Sequence, residues 1–320
     1  MLGHQKVLST LQVAIKNDNV NHAYIFEGPD GVGRRETALS FSSMLMCEAN
    51  AAPCRECKSC QLFQQGFHPD FQEIYLEDKS ISVEDIRNIS KGLVIKPLYS
   101  KYKVYIINDA DNMTVQAQNA LLKSLEEPPP YVVFILTVQS TAAMTQTIRS
   151  RCQRILFNKV GYEDIIKILE TKYGSRKLGW DFIVSYADGV IGTAIYLVES
   201  PQYLEIRDEV LEAVTQLLTS RDADLFKLYE IFEKNGDKID YILRVILLFF
   251  RDIMIYNQTA DFSILINSDK KDMIVKNASV SLSSLIKCIH AIWSAKRGLE
   301  VNANFQLVIE VMLMKFHMVL

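Results

Sequence analysis

The chain has 320 residues, 49% of them apolar, with 35 Lys and Arg against 38 Asp and Glu for a formal net charge of −3. That length allows two or three domains with real cores, and the charge excludes a global basic field for nucleic acid, so any DNA contact would be local or shared with partners. No signal peptide is evident, and the most apolar stretch, Tyr241 to Phe250, falls short of the roughly 20 residues a membrane helix needs. The expectation is a cytoplasmic protein with no membrane partner.

Residues 7–18 place apolar side chains at helical spacing and end in polar turn formers, which predicts a helix. Ala23 to Phe26 is a short β-rich run leading into a glycine-rich loop, and helical spacing resumes from about Arg35 to Cys47. A cysteine cluster occupies 47–60. After His68-Pro69-Asp70 comes a strand pattern from Phe71 to Tyr75, then an amphipathic helix opened by Ser82 and Asp85 in a capping-box arrangement. KVYIIND (103–109) is a buried-strand pattern; QAQNALLKSLEEPPP (116–130) is a helix stopped by three prolines; VVFILTV (132–138) is a second buried strand. Residues 140–157 predict a short helix, a loop and a final strand.

Strands alternating with helices predict a parallel sheet covered on both faces. This α/β domain is placed at 1–158. From 159 onward strand patterns nearly vanish. Residues 160–200 predict three short helices with a turn at Ala187-Asp188-Gly189, and Pro201 marks a boundary. Residues 202–320 predict long amphipathic helices. Three domains are therefore expected: α/β over 1–158 with an insertion at about 47–60, small helical over 159–201, and a larger all-α domain over 202–320.

Gly28-Pro29-Asp30-Gly31-Val32-Gly33-Arg34-Arg35 aligns with G-x-x-x-x-G-K-[ST], with a strand before it and a helix after. A working phosphate loop needs backbone amides to cradle phosphates, a Lys for the β/γ-phosphates and a hydroxyl for Mg²⁺. The glycines Gly28, Gly31 and Gly33 are present. Arg34 replaces the Lys, and Arg35, which cannot ligate a cation, replaces the hydroxyl. Thr37 lies two residues too far along. A glycine-rich turn unrelated to nucleotides is the alternative reading of the loop alone. The strand at 103–109 narrows it. In a P-loop ATPase that strand ends in an acidic pair, where an Asp assists Mg²⁺ and a Glu orients water. Here Asn108 stands for the Asp and Asp109 for the Glu; Asp111 is expected to be a solvated turn residue. An amide lacks the charge a divalent ion favours. ATP is therefore expected to be neither bound nor hydrolysed at this chain's own site.

Cys47, Cys54, Cys57 and Cys60 give C-x6-C-x2-C-x2-C. CxxC steps suit tetrahedral Zn²⁺, and four thiolates with no nearby His point to a closed structural site. Free thiols or a redox pair are the alternative. Cys152 and Cys288 lie far off in sequence and are expected to be ordinary buried or half-buried thiols.

Together these residues carry a resemblance. The chain resembles the clamp-loader branch of the AAA+ ATPases, and within it the delta-prime subunits of bacterial DNA polymerase III. The resemblance rests on His22-Ala23-Tyr24-Ile25-Phe26-Glu27-Gly28-Pro29, the four-cysteine insertion, His68-Pro69-Asp70, the run from Ala120 to Pro129, Ser150-Arg151-Cys152, and Asn302 to Leu307. It implies an AAA+ domain, a helical lid and a helical collar that holds a ring of subunits. It implies that Arg151 is an arginine finger offered in trans to a neighbour's ATP, that Thr137 is a vestigial first sensor, and that Gly192 replaces the Arg of a second sensor. The implied role is a non-hydrolysing stator. Its implied partners are the gamma/tau ATPase subunits and delta, with the sliding clamp and primed DNA reached through the complex. Two other readings stay open: an ATP-hydrolysing motor subunit of the same loader, and a zinc-containing DNA-binding module. Lys96, Lys101 and Lys103 are a small basic patch that a ring could pool.

Overall fold

The computed structural model describes residues 4–49, 53–75, 80–219 and 225–319. Two units separate: Met1–Asp164 with Val190–Gly192, and Ile165–Gly189 with Thr193–Leu320.

The first unit runs α1 (Gln5–Lys16), β1 (Ala23–Glu27), α2 (Arg34–Met46), α3 (Lys58–Gln64), β2 (Phe71–Ile74), α4 (Val83–Gly92), β3 (Lys103–Ile107), α5 (Val115–Glu126), β4 (Val132–Val138), α6 (Gln146–Arg149) and β5 (Gln153–Leu156). The strands form one parallel sheet in the order β2-β3-β4-β1-β5. Every residue of β3 and β4 is buried, as apolar runs covered on both faces require, whereas the edge strands β2 and β5 are partly exposed. Side chains alternate between the two layers. Ile25, Tyr105, Ile107, Phe134 and Leu136 pack with Ile86 and Ile89 of α4 and Leu121 and Leu125 of α5. Tyr24, Phe26, Ile106 and Ile135 pack with Leu11 of α1 and Phe41 and Leu45 of α2.

The elements start where local chemistry permits. Ser82 and Asp85 form a full capping box on α4. Thr114 caps α5 by accepting from the Ala117 N–H. Glycine 28 packs so closely on β5's exit that an added Cβ would lie 2.4 Å from the Phe157 carbonyl oxygen. His68 and Asp70 tie loops to the sheet. Asp70 is 1% exposed, and its carboxylate accepts the backbone N–H groups of Leu98, Tyr99 and Ser100 at 2.8–3.2 Å.

The second unit is helical. It comprises most of α7 (Tyr162–Tyr173), then α8 (Trp180–Ala187), most of α9 (Ile191–Glu199), α10 (Gln202–Thr219), α11 (Leu225–Lys234), α12 (Ile239–Thr259), α13 (Lys271–Lys276), α14 (Leu282–Glu300) and α15 (Phe305–Val319). The apolar stretch from Tyr241 to Phe250 lies within α12 and supplies much of the core. Arg207, 1% exposed, is held by Asn267 and by Asp269 at 2.6 Å, and stacks over the Phe182 ring at 4.2 Å. A charge this buried is tolerated because its donors meet acceptors. Among the described residues, no helix is long and apolar enough to cross a membrane.

Candidate functional site

The glycine loop leaves the C-terminal end of β1 and enters α2, with β4 and then β3 beside it in the sheet. Ligands of open α/β sheets bind at this end of the strands. Two left-handed glycines, Gly31 at φ 70° and Gly33 at φ 106°, make the loop turn. A 250 Å³ cavity opens there, lined by Asp30, Arg34, Arg35, Tyr75, Asn108 and Thr137 among others.

The cavity's polar groups are largely committed to one another. Arg34 is 4% exposed. Its Nη2 lies 3.3 Å from Asp30 and 3.5 Å from Asp109, while Nη1 is buried without an acceptor among the described residues. The Asp30 carboxylate also accepts the Gly31 N–H at 2.9 Å, an amide that a phosphate would otherwise use. Burial pushes the Asp109 carboxyl up; Arg34 draws it down without cancelling the effect, and Asp30 and Asp111 add to the rise.

Arg35 turns the other way. Its Nε and Nη2 donate to the two oxygens of Glu73 at 2.6 and 3.0 Å, and its guanidinium lies over the Tyr75 ring. Asn108 Nδ2 donates to the same Glu73 at 2.6 Å. Burial raises the Glu73 carboxyl, but Arg35 and Asn108 outweigh it and leave the group below its ordinary value. Arg35 and Asn108, the two residues that the motif alignment sets against Mg²⁺-handling groups, are thus bridged by an acid that sequence patterns did not flag. Glu73 sits on a short edge strand, and only the β2–β3 register brings it beside Asn108. Thr137 accepts the Asp109 N–H at 3.0 Å and lies 3.4 Å from Asn108 Oδ1. Gly192 also reaches the loop: its N–H donates to the Gly31 carbonyl at 2.8 Å, and a Cβ there would lie 2.8 Å from that oxygen.

Arg151 is not among the residues lining this cavity. It follows α6, one third exposed. Its Nη1 donates to the Thr147 carbonyl at 3.0 Å, and its Nη2 lies 2.8 Å from the Glu126 carboxylate at the end of α5. The LEEPP run and the SRC triplet therefore meet through their charged members, a link that spacing alone does not reveal.

The four cysteines do converge. The thiol sulfurs of Cys47, Cys54, Cys57 and Cys60 all lie within 4.8 Å of one another, with Cys54 and Cys60 at 3.9 Å. A tetrahedral site with metal–sulfur bonds of ~2.3 Å has edges of about 3.8 Å, so the set fits a metal ion. Backbone N–H groups point at the sulfurs: Cys54 N to Cys47 Sγ, Cys57 N to Cys54 Sγ and Cys60 N to Cys57 Sγ, at 3.3–3.4 Å. N–H donation from Glu56 and Cys57 draws the Cys54 thiol down to about 6, and burial pushes Cys60 up to about 12. The cluster is anchored from behind. Ser59 hydrogen-bonds the Met46 carbonyl at 2.6 Å and His68 Nε2 at 2.8 Å, while His68 Nδ1 accepts the Asp70 N–H.

Two expectations need correction. Lys103 is not part of a surface patch: it is 8% exposed, and its ammonium donates to the Gly92 carbonyl at the end of α4, where a cation is favoured. Lys101 is paired with Asp18. Asp111 is not merely solvated, because it accepts the Gln139 N–H at 2.9 Å as β4 ends.

Residues 3–161 match the family described as DNA polymerase III, delta subunit, and residues 201–318 match the one described as DNA polymerase III, delta subunit, C terminal. The DNA polymerase III subunit tau of Bacillus subtilis is 31% identical over 280 residues, which are 80% of this chain and 49% of that protein, so the chain spans about half the relative's length. Subunit delta' of the same organism is 29% identical over 306 residues, 94% of this chain and 92% of the relative. A DNA polymerase III gamma subunit-related protein of Thermotoga maritima aligns with a TM-score of 0.51 over 97% of this chain and 98% of its own, at 21% identity, and shares the fold. With the parallel sheet, the glycine loop and the helical C-terminal region of the AAA+ plan, the chain belongs to the clamp-loader family of DNA polymerase III subunits.

Proposed function

We propose that this chain is a non-hydrolysing, delta-prime-type stator of a clamp loader. The observation that carries the reading is the Arg35–Glu73–Asn108 bridge, which fills with protein charge the place where Mg²⁺ would be handled. A divalent ion there would need free oxygen ligands, and the carboxylate of the bridge, Glu73, is already taken by a guanidinium and an amide N–H. Gly192 adds to this, since its backbone rests on the loop where a second sensor would need space. ATP is then neither held productively nor hydrolysed by this chain.

Its contribution to catalysis lies in Arg151. A guanidinium offered at a subunit boundary neutralises charge on a neighbour's phosphoryl group in flight. The partners on this reading are gamma/tau-type ATPase subunits and delta, and through the ring the sliding clamp and primed DNA, in the cytoplasm. The division into an AAA+ domain over 1–158, a lid over 159–201 and a collar over 202–320 belongs to the same reading. Trp293, Leu307, Val311 and Met314 stay exposed on α14 and α15, as collar helices awaiting another chain would. The four cysteines would hold Zn²⁺, whose part is to cross-link the insertion rather than to take part in chemistry.

A motor-subunit reading is favoured by the 31% identity to a tau subunit. The test separates the two. The purified chain is assayed for ATP turnover alone and in a loader reconstituted with gamma/tau and delta, with Arg151→Ala in parallel. The stator reading expects no turnover alone and reduced turnover in the complex with the variant. Turnover by the purified chain would establish the motor reading.

A further inference from the structure

We propose that Glu126 is a positioning residue that sets the Arg151 guanidinium before a partner's nucleotide arrives; this rests on the trans role of Arg151 proposed above. Glu126 occupies the last residue of α5, where the helix dipole disfavours a carboxylate. No benefit to α5 itself explains an acid there. It does have a cross-element partner: Arg151 Nη2, at 2.8 Å. The second fixed point is the Thr147 carbonyl on α6, 3.0 Å from Nη1. Two acceptors from two elements define the plane of the guanidinium fork.

The pair is half in solvent, with Glu126 at 49% and Arg151 at 34% exposure. An exposed ion pair contributes little to stability. Its effect on orientation is larger. A free Arg side chain samples many rotamers, and a planar fork serves only when it arrives in register. Catalysis by a group supplied across a boundary depends on that register. The carboxylate also sits on a rigid mount. Pro128, Pro129 and Pro130 fix the chain leaving α5, and Leu125, 1% exposed, anchors the last turn in the core. Glu126 thereby transmits the position of the sheet-packed helix α5 to a side chain at the surface.

The test uses the reconstituted loader with wild type, Glu126→Ala, Glu126→Gln, Glu126→Asp and Arg151→Ala. Glu126→Ala is expected to lower kcat for ATP by about 10-fold with KM unchanged, since orientation and not affinity is lost. Glu126→Gln keeps an acceptor oxygen at the same reach and is expected to recover most of the rate; Glu126→Asp falls short by one methylene and is expected to resemble Ala. The double variant Glu126→Ala/Arg151→Ala should be no slower than Arg151→Ala alone, because the two act as one unit. This ordering of Gln and Asp is not one that a stability defect would produce. If Arg151→Ala slows the loader while Glu126→Ala does not, or speeds it, positioning is wrong and the trans role stands. If Arg151→Ala matches wild type, the trans role itself fails and the positioning inference falls with it.

Discussion

Arg35 and Glu73 form a two-point clamp, with guanidinium nitrogens 2.6 and 3.0 Å from the two carboxylate oxygens. Arg35 lies in the first turn of α2 and Glu73 on β2, so the clamp ties the glycine loop's helix to the sheet edge. Because Asn108 shares the same carboxylate, the pair also closes the end of β3. Glu73→Ala removes the Arg35 acceptor and leaves Asn108 Nδ2 with the longer bond to the Ile74 carbonyl, 3.3 Å. Arg35 is 47% exposed, so solvent screening limits the loss to about 1 kcal/mol, read as a lower urea midpoint at unchanged slope. The Glu73 carboxyl is lowered on folding. Its contribution is therefore present above the unfolded carboxylate value and is lost as pH falls through the folded one.

Any polyphosphate that binds near Arg34 should do so without help from Mg²⁺. Titration calorimetry with ATP, in Mg²⁺ and then in EDTA, should give affinities within about twofold of each other. A tenfold gain with Mg²⁺ would mean that the Arg35–Glu73–Asn108 bridge opens to admit the ion.

Gly28→Ala tests the close approach of the loop to the strand end. With a Cβ placed 2.4 Å from the Phe157 carbonyl oxygen, the backbone must shift, at a cost of about 3 kcal/mol. Chemical denaturation of the variant measures it, and an unchanged midpoint would contradict the packing.

His68 and Asp70 should make stability fall on acidification in two stages. Burial lowers the His68 imidazole, and its Nδ1 accepts a backbone N–H, so the folded state holds it neutral. That contribution is complete above the unfolded value of 6.5 and is lost as pH falls toward the lower folded one. Burial raises the Asp70 carboxyl, but the N–H groups of Tyr99, Leu98 and Ser100 bring it below its ordinary 3.8, so its share is lost only as pH falls through the lowered value. Asp70→Ala strands those donors and should cost about 3 kcal/mol. Urea midpoints between pH 7 and pH 3 follow both stages.

Metal analysis should find one Zn²⁺ per chain, and Cys57→Ser should lose it. Removing the ion should expose the insertion to protease while the sheet keeps its protection, because Ser59 and His68 tie the insertion to the sheet by hydrogen bonds of modest strength. Undiminished zinc in Cys57→Ser would exclude that ligand set.

The strands were legible because buried runs such as 104–107 and 132–136 are continuous stretches of apolar and aromatic residues, and the glycine loop because its spacing is fixed by backbone geometry. The cysteine cluster was legible for a similar reason: its ligands lie close in sequence, so spacing constrains geometry. The replacements Arg34, Arg35, Asn108 and Gly192 could be read as departures from a pattern. What takes the place of the missing groups could not. Glu73 and Glu126 are ordinary acids in sequence, and their roles depend on strand register and on two helix ends meeting in space. Local spacing determines backbone turns and short-range ligand sets, since a few residues fix those coordinates. Which carboxylate answers which guanidinium depends on contacts between residues distant in the chain, and only the tertiary structure decided that.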